Sequence, residues 1–245
     1  MKNYMFVVEY DGSKYNGWQR LPDNIEKSIQ GKIEVLLSRL LEEDVKIIGS
    51  GRTDAGVHAL MQVCNFKTLK NLDNNFIEDF NKYLPKDIKI TEFKKVDDKF
   101  HARYNATKKV YMYRIDNTRF GNLFLRDYSY YIDKKLDIPA MRKTLELFIG
   151  EHDFTSFSKN NSKKKSCVRT INSIELKENN GIIEIYFEAD GFLYNMVRML
   201  TGALIGVGLN QIKYEDIKEL LNEKTRTKHR FVVPPQGLFL YSVQY

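Results

Sequence analysis

At 245 residues the chain is long enough to bury a core without disulfide or metal staples, as one large domain or two small ones. Its 42% hydrophobic and 29% charged composition excludes disordered, collagen-like and coiled-coil classes. Lys and Arg outnumber Asp and Glu by 39 to 32, a formal net charge of +7 that favours an anionic partner such as nucleic acid.

Met5 to Tyr10 reads as a strand closed by the turn Asp11-Gly12-Ser13. From Ser28 to Leu41 the spacing of Ile29, Ile33, Leu36, Leu37 and Leu40 predicts a helix with one apolar face. Val45 to Gly49 is a short strand running into Gly49-Ser50-Gly51. Met61 to Phe66 is the next strand, with Met61, Val63 and Asn65 on one face. A helix over Phe76 to Leu84 stops before Pro85, and Ile88 to Val96 is a strand. A second half begins near Ala106. It carries a strand from Val110 to Ile115, a helix from Ile138 to Ile149, and antiparallel strands Ile171 to Leu176 and Ile182 to Phe187 around Asn179-Asn180-Gly181. Helices from Leu193 to Val207 and Tyr214 to Leu221 and a closing strand from Leu238 to Val243 complete it. The order lacks the βαβ rhythm of a parallel sheet, so the expected class is α+β, with two related halves, 1–105 and 106–245, sharing a mostly antiparallel sheet. No Pro/Gly/Ser linker separates them.

Met5 to Val8 is too short an apolar run for a signal peptide and meets Glu9 and Asp11 at once. The quietest stretch, Met199 to Asn210, is shorter than the ~20 apolar residues that span a bilayer. The two cysteines, Cys64 in an apolar strand and Cys167 after a lysine run, read as free thiols of a reduced, cytoplasmic protein. His58, His101, His152 and His229 form no ligand pair or knuckle, so no metal site is expected.

The segment Gly49-Ser50-Gly51-Arg52-Thr53-Asp54-Ala55-Gly56-Val57-His58-Ala59 is polar and tight, and apolar strands bracket it. Asp and Gly alone would make a turn, with Arg52 a surface charge. Arg, Thr, Asp and His together exceed what a turn needs, and loops on rigid scaffolds are where catalytic groups sit.

The string from Gly51 to Ala59 resembles the signature of the tRNA pseudouridine synthase A family. Further matches follow in order: Glu9-Tyr10-Asp11-Gly12, Gly17-Trp18-Gln19-Arg20, Leu84-Pro85-Lys86-Asp87-Ile88, Phe100-His101-Ala102-Arg103, Ala106-Thr107 and Tyr111-Met112-Tyr113. Asp153-Phe154-Thr155-Ser156-Phe157, Met196-Val197-Arg198 and Gly237-Leu238 complete the set. The resemblance implies two RRM-like, ferredoxin-like halves forming a continuous sheet with flanking helices and an active site in a central cleft. It implies isomerisation of uridine to pseudouridine in the anticodon stem-loop of tRNA, at tRNA positions 38 to 40, by a homodimer. Uracil detaches at N1 and rejoins the same ribose through C5, so no cofactor is required. The same chemistry on ribosomal RNA, and a non-catalytic RRM-like RNA-binding module, are the alternative readings.

By the same resemblance Asp54 is the catalytic carboxylate and Arg198 its ion-pair partner, since a carboxylate in a closed pocket protonates without one. Taken without the resemblance, Arg198 reads as a helix surface charge. Tyr111 stacks on the target uracil, with Tyr113 as the alternative. Arg52 takes the place of the flipped base, and Leu238 supplies a pocket wall. Lys108, Lys109, the run Lys163 to Lys165, and the cluster Lys224, Arg226, Lys228 and Arg230 are candidate phosphate contacts. Thr227 to Gln236 departs from the small residues usual before Gly237-Leu238 in the family.

Overall fold

A computed structural model describes residues 1–73, 75–159, 166–224 and 231–245. The first half of the chain runs through β1 (Lys2–Tyr10), α1 (Ile29–Leu41), β2 (Ile47–Gly49), β3 (His58–Thr68), α2 (Phe76–Tyr83) and β4 (Ile88–Val96). The second runs through β5 (Lys108–Asp116), β6 (Tyr130–Tyr131), α3 (Ile138–Leu145), β7 (Gly150–Asp153), β8 (Val168–Asn179), β9 (Ile182–Ala189), α4 (Met196–Gly208), α5 (Tyr214–Glu223) and β10 (Leu238–Gln244). Every expected strand and helix is present, with mixed α+β architecture. No described helix is long and apolar enough to cross a membrane.

The chain divides into two compact units. The first is Met1–Thr107 together with Phe239–Tyr245. Its strands lie in the order β4-β1-β3, each antiparallel to the next, with β2 antiparallel on β3. The closing strand returns to this unit, running parallel to β3 with Phe239 opposite His58 and Leu240 opposite Ala59. Ser28 starts α1 by accepting the Gly31 N–H, a Ser N-cap that satisfies one orphan donor of the first turn. The buried stripe of α1 is Ile29, Ile33, Leu37 and Leu41, displaced from the expected one: Leu36 and Leu40 are half-buried. The shift makes room for Glu34, which is buried yet bonded to the Arg20 guanidinium at 3.0 Å and to the Ile47 N–H at 3.0 Å. Phe6, Leu37, Phe66, Phe80, Ile90 and Phe93 pack together under the helices.

The second unit is Lys108–Leu238. Its strands lie in the order β5-β9-β8-β7, all antiparallel, and the short β6 runs parallel to β5. At the β8–β9 hairpin Asn180 and Gly181 both adopt positive φ, 50° and 80°, the conformation two-residue hairpin loops favour. The helix expected over Ile138 to Ile149 ends at Leu145. A 3-10 turn carries Glu146 to Phe148, and β7 follows. The apolar spacing 141, 145, 148 fits either helix type, so sequence pattern could not place that end. α4 begins at Met196 rather than Leu193, because Asn195 holds φ 61° and interrupts the helical backbone. Its core face is almost wholly buried, with Leu200 and Leu204 fully so, and it packs on α3.

Candidate active site

The Asp54 loop, between β2 and β3, is held by the opening segment of the chain. Tyr10, at the end of β1, hydrogen-bonds the buried Thr53 hydroxyl at 2.7 Å. The Trp18 N–H donates to the Thr53 carbonyl at 3.0 Å, and the buried Trp18 indole stacks on Tyr10 with centroids 6.0 Å apart. Gly17 sits at φ 95° against the loop backbone, where a Cβ would lie 2.6 Å from the Thr53 carbonyl oxygen and 3.0 Å from the Asp54 carbonyl carbon. Only glycine fits that approach and that φ. Beyond Asp54 the chain turns, the Val57 N–H donating to the Asp54 carbonyl at 3.2 Å and the Gly56 N–H to the Tyr15 carbonyl at 3.4 Å. The Tyr15 hydroxyl is tied to Asp87 Oδ1 at 2.7 Å; burial, and then that carboxylate, raise its pKa well above the usual tyrosine value.

The loop ends at His58, buried and stacked on Phe239 at 4.8 Å. The Gly12 N–H donates to His58 Nδ1 at 3.1 Å, while Asp11 Oδ1 lies 3.2 Å from the same nitrogen. One nitrogen cannot serve both: the Gly12 bond belongs to a ring protonated on Nε2, the Asp11 contact to one carrying a proton on Nδ1. On the upstream side the Gln62 amide donates to the Gly51 carbonyl at 2.9 Å. Arg52 is exposed and Asp54 half-buried, so the clamped backbone presents both side chains rather than enclosing them.

In the second unit Arg198 occupies the first turn of α4. A cation there opposes the helix dipole by roughly 0.3–1 kcal/mol, so helix stability does not explain its position. Among its partners, Nε donates to the Val233 carbonyl at 2.8 Å and a terminal nitrogen donates to Asn195 Oδ1 at 3.0 Å. Asn195 is the N-cap residue of α4 but makes no cap hydrogen bond with its side chain; its oxygen serves Arg198. The segment carrying Val233 lies hard against α4, where a Cβ on Gly202 would come 1.6 Å from the Phe231 carbonyl oxygen. Tyr113, fully buried in β5, donates to the Pro234 carbonyl at 2.8 Å. Burial raises its pKa far above the usual value, only partly offset by the Arg198 charge.

The second unit thus gathers Arg198, Tyr113, Val233 to Gly237 and Leu238, the last buried at the start of β10. Tyr111 is 8% exposed and meets the edge of Phe192 at 5.1 Å. Lys108 opens β5 and pairs with Glu188 at 2.9 Å, and Lys109 follows it in the strand. Lys224 ends α5 at φ 49°. Arg226, Lys228, Arg230 and the run 163–165 lie outside the described residues. Sequence reasoning missed the positioning work of Asn195 and of the Val233 carbonyl, and it assigned no role to Tyr10, Tyr15 or Trp18. A polar residue three positions before a helical Arg was the one available signal.

This α+β chain is an isomerase by family: the sequence model described as tRNA pseudouridine synthase matches residues 6–105 and 145–245, and the chain belongs to that family. Curated relatives align over the whole chain and their own whole length. They include the tRNA pseudouridine synthase A of Bacillus sp. (strain KSM-64) at 48% identity and that of Thermoanaerobacter sp. (strain X514) at 42%. Clostridium tetani carries a tRNA pseudouridine synthase A 1 at 44% identity, also end to end. Among solved structures, a chain of an H/ACA RNP bound to a substrate RNA containing 2′-deoxyuridine aligns with a TM-score of 0.39 and 12% identity, over 83% of this chain and 44% of that one.

Proposed function

We propose that this isomerase converts uridine to pseudouridine in the anticodon stem-loop of tRNA, at positions 38 to 40, with Asp54 as the catalytic carboxylate. The N1–C1′ glycosidic bond breaks and a C5–C1′ bond forms; the C5 proton is lost and N1 gains one, so the atoms balance without a cofactor. Asp54 acts as nucleophile or as base at the ribose. Arg198 supplies the cation that keeps it ionised, Tyr111 stacks on the uracil, Leu238 walls the pocket, and Arg52 replaces the extruded base in the stack. Lys109 and the basic cluster from Lys224 onward meet phosphates. The chain works in the cytoplasm as a homodimer.

The observation that carries this reading is the clamp on the Asp54 loop. Tyr10, Gly12, Tyr15, Gly17 and Trp18 all bond or pack against residues 53–58, yet the Asp54 side chain itself is left half-exposed. A loop fixed on both sides of one accessible carboxylate is what a preorganised catalytic group requires. Asp54→Asn keeps the size and removes the charge. We expect it to abolish pseudouridine formation on tRNA while tRNA binding stays within a few-fold of the parent; turnover near the parental level would refute the assignment. Mapping pseudouridine in cellular RNA with and without the gene identifies the positions.

A further inference from the structure

The motif Phe100-His101-Ala102-Arg103 plays no part in the site described above, and the loop containing it is built with unusual care. Asn3 and Asn65, buried on β1 and β3, both donate to the Phe100 carbonyl, at 2.9 and 3.4 Å. Asn65 Oδ1 accepts the Ala102 N–H at 2.9 Å, and the Tyr245 hydroxyl donates to the Ala102 carbonyl at 2.7 Å. The His101 N–H donates to Asn105 Oδ1 at 2.7 Å, and the Asn105 N–H returns to the His101 carbonyl at 3.0 Å. His101 Nδ1 accepts the N–H groups of Arg103 and Tyr104 at 3.2 and 3.3 Å, which makes it an acceptor in a ring protonated on Nε2.

What this framework holds up is Tyr104, 78% exposed, with one face stacked on the His101 ring at 4.2 Å and 27°. Closing the loop onto the sheet accounts for Phe100, the fully buried Ala102 and Asn105, but not for an aromatic ring set in solvent. The Tyr104 hydroxyl has no hydrogen-bond partner among the described residues. Exposed Arg103 precedes it in the chain and exposed Lys99 stands just before the motif, and neither has an ion-pair partner among the described residues. Asp97 and Asp98 lie at the other end of the loop, where Asp97 is taken up by the Lys99 N–H at 2.8 Å.

We propose that Tyr104, backed by His101 and flanked by Arg103, is a stacking platform for an unpaired base of the RNA substrate, outside the nucleotide being isomerised. A planar ring with one face already stacked and the other open extends its stack onto any base, because every base has a π-face. Its fixed backbone means little freedom is lost on binding. The site lies apart from the reacting nucleotide: Asn65, its anchor, is seven residues along β3 from His58 at the foot of the Asp54 loop, about 23 Å at strand rise. This inference rests on the reading of the substrate as tRNA.

The test measures tRNA affinity and, separately, single-turnover pseudouridine formation at saturating tRNA, for the parent, Tyr104→Ala, Tyr104→Phe and Arg103→Gln. Base–aromatic stacking predicts about tenfold weaker binding for Tyr104→Ala, with the saturated rate unchanged. Tyr104→Phe should bind as the parent does. Tyr104→Ala should keep the parental dependence of affinity on salt, whereas Arg103→Gln should lower that slope by about 0.7 if it meets a phosphate of an unpaired strand. Parental affinity in Tyr104→Ala overturns the proposal. So does an equal loss in Tyr104→Phe, or a change in the mass of the protein in solution with affinity unchanged, which would make this a protein–protein surface. If the parent binds tRNA but forms no pseudouridine, the functional reading fails while the binding comparison still decides the platform.

Discussion

Replacing Asn195 separates two things that one residue does. Its backbone, at φ 61° and ψ 9°, starts α4 from the left-handed region, and its side-chain oxygen holds a terminal nitrogen of Arg198 at 3.0 Å. Asn195→Gly keeps the backbone conformation at no steric cost and deletes only the side chain. Asn195→Ala removes the same oxygen but keeps a Cβ in the left-handed region, where it is roughly 1–2 kcal/mol less favourable than glycine. Both lose a part-buried hydrogen bond to a charged group, worth about 1.5–3 kcal/mol. If Asn195 aims Arg198 at the transition state, that energy appears in the rate: single-turnover pseudouridine formation should fall about 10- to 150-fold. The Val233 carbonyl still holds Nε, so the lower end of that range is expected. The two variants should therefore differ in urea midpoint, Ala below Gly, yet match in rate and in KM for tRNA. A Gly variant at the parental rate would refute the positioning role. So would rates that follow stability across the pair.

Two further predictions come from the same framework. Gly17→Ala places a Cβ 2.6 Å from the Thr53 carbonyl at a φ of 95°, so the Asp54 loop must move; activity should drop at least tenfold with the fold retained by circular dichroism, and parental activity would show that the loop is not held there. Asp116, buried at the end of β5, has a pKa that burial raises but that bonds from the Thr118 hydroxyl and the Asn122 and Thr118 N–H groups lower further, leaving it below the usual carboxylate value. A lowered folded pKa stabilises above the unfolded value and is lost as pH falls through the folded one. Asp116→Asn should accordingly be destabilised by about 1–3 kcal/mol at pH 7. Its deficit should shrink in urea titrations below about pH 4, and a deficit constant to pH 3 would contradict the assignment.

Local chemistry written in the chain was enough for the elements and for the loop. The period of Ile29, Ile33 and Leu37, Pro85 after α2 and the Asn-Gly hairpin at 180–181 each act over a few residues, and each element appears within a few residues of where they place it. The ordered run of motifs likewise sufficed for family membership, and the Asp54 segment stood out because no turn needs its composition. Tertiary structure alone decided the rest, because its causes join residues far apart in sequence. The parallel pairing of Phe239 with His58 spans the chain, and no local pattern distinguishes a closing strand that returns to the first unit from one that stays with the second. Tyr10, Gly17 and Trp18 stand in family-like motifs of the sequence, but what each does appears only when the loop packs on them. Asn195 reads as a helix residue, and only its left-handed backbone turns its side chain from capping to holding Arg198. The segment before Gly237, which looked like a departure from the family, supplies from Val233 the carbonyl that holds the same guanidinium: a backbone acceptor carries no side-chain signature, so only folding reveals it.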